Sequence, residues 1–579
     1  MARIYSRWFH VLLLLAWLVI GISLRLTNLS GKSPWTDEFS TLVFSLGNSF
    51  LGVPLDQAIT IDTLLQPLQP NPDAALRNVL INLFSESNHP PIYFVLTHLW
   101  LKLFPTNAGL VSVWGARLLA AIFGGLSIPA IFGFSWLAFR SRLISHLAAA
   151  MMAVSPFGIF LAQEARHYTL AILWVIASLA CLIVALRHIN NRTQLPIHIA
   201  LFWVIVNALG IATHYFFALT LCAEVFVLML TIWQEWRNKN ALVEKHSLNL
   251  LISPWKRIYA VALGTFISGL VWVPIFISNS YGDDLTDWIQ GERVGFAWIS
   301  PIFQAIAAWI TMISLLPVEA SQLAVVIASG LVMIIFFVWL IPILIRGYIQ
   351  LSKSQNQLMI RALSSFILGA IILFFIFTYF LGIDLTRGAR YNFVYFPAVI
   401  VLVGAILAAI WDTKSAEKIK WGFTGKQTVA IILLMGLISS ITVVGNLGYQ
   451  KYYRPDLFVK LIEKTSQNPV LITTTQKTHV QIGEMIGVAR EFKLEFFNQN
   501  LNQNLNRNLN KNPKFLLAHQ DKDRKVPTIT LQNTLKTLSR PIDLWLVNFH
   551  APAEVNNCIA DDRALPSIDG YEYKLFHCK

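Results

Sequence analysis

Ser33-Pro34-Trp35-Thr36-Asp37-Glu38-Phe39-Ser40 follows directly on the first long apolar run of the chain. Two adjacent carboxylates at the mouth of a membrane span need a reason, because charge near hydrocarbon is costly unless it is solvated, paired or used. One reading is a negatively charged first turn for a loop helix starting at Phe39. The other is chemistry, with Asp37 as a base and the remaining spans as the walls of a chamber around it. Neighbours on a helix diverge by about 100°. Asp37 can therefore face a chamber while Glu38 caps a helix, holds a metal or pairs with an arginine.

Of the 579 residues, 55% are hydrophobic and 13% charged, a balance that belongs to polytopic membrane proteins. The net charge of +14 does not indicate nucleic acid, because the basic residues gather in short loops between apolar runs, the positive-inside pattern. Cys181 and Cys222 fall inside apolar runs. Cys558 and Cys578 lie in the tail, where a disulfide forms if the tail is extracytoplasmic. Met1 to Gly21 has the charged start and apolar run of a signal peptide, but no small-residue cleavage site follows promptly. It reads as a retained first span.

The sequence predicts an α-helical polytopic fold with about eleven spans, interfacial helices and a small C-terminal α/β domain. Trp8 to Leu24 is the first span, its start cytoplasmic because of Arg3 and Arg7. Residues 26–112 form a long outer loop in which acidic residues outnumber Lys and Arg. Pro91 to Phe104, at 14 residues, is short for a span of about 20. If it crossed, every later basic loop would flip outside, so it is placed flat at the interface.

Further spans follow at Val113 to Phe139, Leu143 to Leu161, Thr169 to Leu186, Ile197 to Thr213, Tyr215 to Trp233 and Ile258 to Ile277. An acidic outer loop holds Asp283, Asp284, Asp287 and Glu292. Trp298 to Leu316 is placed flat on the outer face. The remaining spans are Leu323 to Ile345, Ala362 to Leu381, Tyr391 to Ile410 and Thr428 to Asn446.

Residues 1–446 thus form a transmembrane domain and 447–579 a cap on the outer face. Within the cap, Pro469 to Thr475 and Ile542 to Asn548 read as strands and Val480 to Phe492 as a helix. The Asn/Gln-rich segment 497–512 reads as a disordered insertion. No tandem repeat of 20–50 residues is evident.

This topology collects Asp37 and Glu38, His89, the segment Gln163-Glu164-Ala165-Arg166-His167-Tyr168, His214, Arg387 and Arg390 at outer span ends or in outer loops. Their convergence from distant parts of the chain is the functional signal. Each has a plainer reading. His89, in Asn88-His89-Pro90-Pro91-Ile92-Tyr93, reads as an interfacial polar group, a metal ligand or a phosphate-orienting ring. Snorkelling accounts for Arg166 and Tyr168 but poorly for Glu164 and His167. Arg387 and Arg390 either snorkel or offer guanidinium forks to phosphate oxygens. Glu224 is the deepest ionisable residue, fit for a polar chamber wall or a proton path. The sequence carries no P-loop, no dinucleotide fingerprint after a strand and no Cys-x-x-Cys pair. A bound phosphate is expected to arrive on a lipid.

The Asp-Glu after span one, the His-Pro-Pro-x-Tyr segment, the Gln-Glu-Ala-Arg-x-Tyr segment and the late Arg-Tyr together resemble the bacterial branch of GT-C glycosyltransferases. The pattern is similar to that of protein O-mannosyltransferases, the lipid A aminoarabinose transferase and the rhizobial lipopolysaccharide galacturonosyltransferases. It covers about residues 1–410.

The resemblance implies a polyprenyl-phosphate-linked sugar donor, a lipid, glycan or protein acceptor, and transfer with inversion on the extracytoplasmic face of the cytoplasmic membrane. It implies Asp37 as the catalytic carboxylate with Glu38 beside it. His89, Arg166, Arg387 and Arg390 fall toward the donor phosphate, and Gln163, Glu164, His167 and Tyr168 form a second outer motif. A divalent metal is left open, with Glu38 and His89 as its ligands. The sequence departs from the O-mannosyltransferases after His-Pro-Pro, where they continue into a lysine-bearing helix. Rival readings are a transporter or lipid flippase, which favours midplane polar sites in repeated halves, and a membrane-anchored scaffold.

Overall fold

The computed structural model describes residues 2–240, 248–278, 285, 287–290, 295–412, 423–501, 512–520, 523, 525–553 and 555–579. The expected acidic positions Asp283, Asp284 and Glu292 lie outside these residues, as does most of the expected disordered insertion. Helix runs as far as Leu501, so the first residues of that insertion are helical instead.

The first apolar run is α1 (Ala2–Leu26), and the outer loop after it is built rather than open. It holds α2 (Thr36–Ser45), the strand β1 (Ala58–Ile59), α3 (Ile61–Leu64), α4 (Leu76–Glu86) and α5 (Ile92–Leu101). The ten residues of α5 reach about 15 Å, half a bilayer.

The bundle continues with α6 (Val113–Phe139), α7 (Arg142–Val154), α8 (Pro156–Ala162), α9 (Tyr168–Asn190), α10 (Ile197–Thr213), α11 (Phe217–Asn240), α12 (Leu248–Leu270) and α13 (Val273–Ser278). It closes with α14 (Ser300–Ile313), α15 (Leu323–Ser352), α16 (Gln357–Phe380), α17 (Phe396–Trp411) and α18 (Gly425–Val444). Among the described residues eight helices are long and apolar enough to cross a membrane, or nine with the bent pair α7–α8 counted as one. The other two expected spans, α10 and α17, are apolar helices of 17 and 16 residues. The chain is a multi-pass membrane protein.

Two expected spans need correction. Tyr391 to Val394 is 3-10 helix, and the span proper starts at Phe396. Leu143 to Leu161 is not one rod but two helices meeting at 56°. The cause is local. Pro156 has no N–H for the carbonyl of Met152, and Ser155 starts a new helix by accepting from Gly158 N at 3.3 Å. The freed carbonyls are then satisfied from elsewhere. Arg25, wholly buried at the end of α1, donates to Met152 O at 2.9 Å and Ala153 O at 3.2 Å. Ser440 of α18 donates to Val154 O at 2.7 Å. Three carbonyls at a break that would be costly in hydrocarbon are thereby paired, and the break delivers Gln163 to Tyr168 to one end of the bundle.

Small residues let the broken helix pack closely. A Cβ on Gly404 of α17 would lie 2.7 Å from the backbone nitrogen of Ala148, the close approach typical of membrane helix pairs.

The tail is an α/β unit with α19 (Pro455–Thr465), β2 (Val470–Gln476), α20 (His479–Leu501), β3 (Lys514–His519), α21 (Val526–Thr537), β4 (Ile542–Val547), β5 (Cys558–Ala560) and β6 (Tyr573–Cys578). Its six-stranded sheet has the order β1-β3-β2-β4-β6-β5. The central pairs β2–β3 and β2–β4 are parallel and the rest antiparallel. Cys558 and Cys578 are disulfide-bonded across β5 and β6.

One edge strand, β1, comes from the first loop, so loop and cap share a sheet. They also share a core, in which Phe39, Val43, Leu64 and Phe94 pack with Ile482, Met485, Ile486 and Phe515. Helix α20 lies against α2 through Gly483 and Gly487. Cβ atoms there would stand 3.6 Å from Thr36 Cα and 3.4 Å from the Phe39 ring.

Candidate active site

Helix α2 starts after Pro34-Trp35 and carries both acids in its first turn. The structure treats them oppositely. Glu38 has no exposed side-chain surface. It takes a bidentate grip from Arg117 of α6, with Nε to Oε1 at 2.7 Å and Nη2 to Oε2 at 2.8 Å. Ala165 N donates to Oε1 at 2.9 Å. Arg117 also donates to Leu29 O at 2.9 Å and Lys32 O at 2.8 Å. Glu38 is thus a clamp joining α2, α6 and the Gln163–Tyr168 segment. Burial alone would raise its pKa, but Arg117 and Lys451 outweigh burial and hold it at about 2.

Asp37 is looser. Its side chain is 30% exposed, and Oδ2 lies 3.6 Å from Arg166 Nη2 and 3.4 Å from Arg390 Nη2. Charge-assisted pairs close to about 2.7–2.9 Å when fully made, so Asp37 is held loosely between two guanidinium groups with part of its carboxylate open.

The second motif sits beneath α2. Gln163 Nε2 donates to Thr27 O at 2.9 Å, tying the break to the end of α1. Arg166 Nη1 donates to Asp37 O at 2.9 Å and Thr41 Oγ1 at 3.0 Å, and Nη2 to His89 Nε2 at 2.8 Å. His89 Nδ1 stands 2.9 Å from Ser87 Oγ. Burial, with Arg166 adding to it, keeps the His89 ring well below the usual imidazole range. The ring is therefore neutral, with its proton on Nδ1.

His167 is buried between His214, with ring centroids 4.4 Å apart, and Tyr168, at 4.8 Å. Burial holds His167 and His214 below their ordinary values as well. The aromatic ladder thus supplies shape and not charge.

The two late arginines part company. Arg390 enters the site beside Asp37, its guanidinium 4.4 Å from the Trp35 ring centroid and 5.4 Å from that of Trp288. Arg387 donates to Trp288 O and pairs with Asp384 at 3.5 Å. It is held away from Asp37. Glu38 and His89 do not converge as metal ligands either, since the oxygens of Glu38 go to Arg117 and Ala165, and His89 Nε2 accepts from Arg166. Among the described residues no group of three or more His, Cys, Asp and Glu is placed to hold a metal.

Lys451 is the residue the sequence reading missed. It follows the last span, lies buried, and pairs with Glu164 while standing 3.9 Å from Glu38 Oε2. Its ammonium also lies 5.4 Å from the Trp35 ring centroid. A lysine on the acidic side of the last span was the available signal. Lys32 joins the same seam, donating to Gly448 O at 3.0 Å and Tyr449 O at 2.9 Å. Burial, with Lys451 nearby, pushes Lys32 down to about 7. From the cap, Tyr453 donates to Glu484 at 2.6 Å, within the same seam of loop and cap.

Neither a protein-family model nor a curated protein matches the chain. Several solved structures show a likeness, and three of them are these. ArnT from Cupriavidus metallidurans bound to undecaprenyl phosphate has 13% identity and a TM-score of 0.45, over 99% of this chain and 98% of that one. The oligosaccharyltransferase AglB from Archaeoglobus fulgidus, in complex with an inhibitory peptide and a dolichol-phosphate, has 12% identity and a TM-score of 0.46, over 94% and 70%. The apo form of the Archaeoglobus fulgidus oligosaccharyltransferase has 13% identity and a TM-score of 0.44, over 84% and 64%.

Proposed function

We propose that this protein is a membrane glycosyltransferase that moves a sugar from a polyprenyl-phosphate-linked donor to an acceptor hydroxyl, with inversion, on the extracytoplasmic face of the cytoplasmic membrane. The observation that carries the reading is the unequal treatment of the two acids. Glu38 is held in structural pairing, while Asp37 is 30% exposed between Arg166 and Arg390. The motif resemblance points the same way. The Cys558–Cys578 disulfide fits a cap on the oxidising side.

In the reaction Asp37 takes the proton of the acceptor hydroxyl. The acceptor oxygen forms its bond to the anomeric carbon as the bond from that carbon to the phosphate oxygen breaks. One base of this kind contributes about 10²–10⁴-fold. The negative charge developing on the lipid phosphate is met by Arg166 and Arg390, fixed donors in a desolvated setting. His89 holds Arg166 from behind by accepting its Nη2 hydrogen. The donor arrives within the bilayer, which accounts for a site set on a bundle of spans.

The test is mass spectrometry of envelope lipids and glycans from cells with the native protein, without it, and with Asp37→Asn. Loss of one sugar modification in the last two is expected. Retention in the variant removes Asp37 as the base.

A further inference from the structure

Glu224 lies eight positions into α11, about 10 Å along the helix from Phe217. Only 3% of it is exposed. The active-site chemistry does not reach it. It lines a cavity of about 470 Å³ between α10, α11 and α12, with Asn207, Cys222, Thr265, Phe266 and Leu270 also on its wall. That size lies within the ordinary range for small-ligand pockets, about 300–1,000 Å³. Phe266 and Leu270 are exposed on the outer surface of the bundle, so the mouth faces hydrocarbon and not water.

Polar groups on and behind this wall satisfy one another. Trp203 Nε1 donates to Ser178 Oγ at 2.9 Å, Ser178 Oγ to Asn207 Oδ1 at 2.8 Å, and Asn207 Nδ2 to Thr265 Oγ1 at 3.0 Å. The exception is Glu224 Oε1, which is buried and, among the described residues, has no hydrogen-bond partner. An orphaned acceptor in such a place keeps its full desolvation penalty, and water is scarce in the hydrocarbon that feeds the cavity.

We infer that this cavity is a binding site for a bilayer-borne amphiphile whose apolar chain carries a hydroxyl group, with the hydroxyl donating to Glu224 Oε1. A neutral hydroxyl is favoured over an ammonium because a charge costs far more to bring through hydrocarbon. The inference does not depend on the glycosyl-transfer reading. The occupant is also distinct from the proposed sugar donor, whose prenyl chain carries no donor group at its far end.

The test uses the full-length protein in lipid nanodiscs and dicyclohexylcarbodiimide, a reagent that dissolves in hydrocarbon and adds to carboxyl groups. Peptide mass spectrometry should find the adduct on Glu224, absent in Glu224→Gln. Hexadecanol should slow the labelling about tenfold, the scale of one well-made hydrogen bond. Hexadecane and hexadecyl methyl ether should leave it unchanged. The site is overturned if native protein is not labelled at Glu224, if hexadecanol gives no protection, or if the alkane or the ether protects equally. Stronger protection by hexadecylamine than by hexadecanol overturns the hydroxyl assignment. The outcome is independent of whether Asp37→Asn abolishes sugar transfer.

Discussion

Asp37 and Glu38 are adjacent carboxylates with different work, and the distances separate them. The two ion pairs of Asp37, at 3.4 and 3.6 Å, are longer than a fully made charge-assisted bond, and the carboxylate itself is 30% exposed, so they add little stability. Asp37→Asn should therefore lower sugar transfer by about 10²–10⁴-fold and leave the melting temperature of the purified protein unchanged. A large fall in melting temperature would make Asp37 a structural residue. Arg117→Met should do the reverse. It strands a buried carboxylate, a loss of about 3–5 kcal/mol, read as reduced melting temperature and yield. Glu38 also sets an acid limit. Its folded pKa of about 2 lies below the ordinary value of 4.5, so the unfolded chain binds more protons in between. The stabilisation is complete above about 4.5 and is lost as pH falls toward 2. Melting followed from pH 6 downward should show this slope in the native protein and lose it in a variant with both Glu38 and Arg117 replaced by apolar residues.

Helix α20 is the cap element that packs on α2. Gly483 and Gly487, one turn apart, bring it onto α2, and contacts of 3.4–3.6 Å leave room for a methyl group but not for a branch. Gly483→Ala should be tolerated. Gly483→Leu should push α20 off α2 and reduce transfer severalfold or more while the spans stay folded. Equal activity in both variants would show that α2 does not depend on this packing. At the far edge of the cap, Cys558→Ser should release β5. Closing a loop of this 20-residue separation stabilises by about 3 kcal/mol. Limited proteolysis should then cut near β5 in the variant and spare the bundle. Cleavage spread through the spans would contradict that separation. These contacts were partly legible in the sequence. Strands β2 and β4 and helix α20 were foreseen, but helices α19 and α21 and strands β3, β5 and β6 were not; short strands take their identity from sheet partners and not from local pattern.

At the scale of the whole molecule, the ionisable groups of the site gather at one end of the bundle, joined by a shared core to the cap. A reporter enzyme fused after Gln163 or after Arg390 should be active only on the extracytoplasmic side. Cytosolic activity at either point would dismantle the site. The sequence by itself determined the membrane class, most of the run of apolar helices and most of the residues that gather at one end of the bundle. Hydropathy and charge bias act locally and survive without knowledge of neighbours. It could not show that Glu38 is clamped while Asp37 stays partly open, why Arg390 and not Arg387 lies beside Asp37, or that Lys451 enters from beyond the last span. Nor could it show that Pro156 breaks a span whose carbonyls Arg25 then satisfies, or that the first loop donates a strand to the cap. Each of these turns on burial and pairing between groups tens to hundreds of residues apart, and such energies exist only once the chain has folded back on itself.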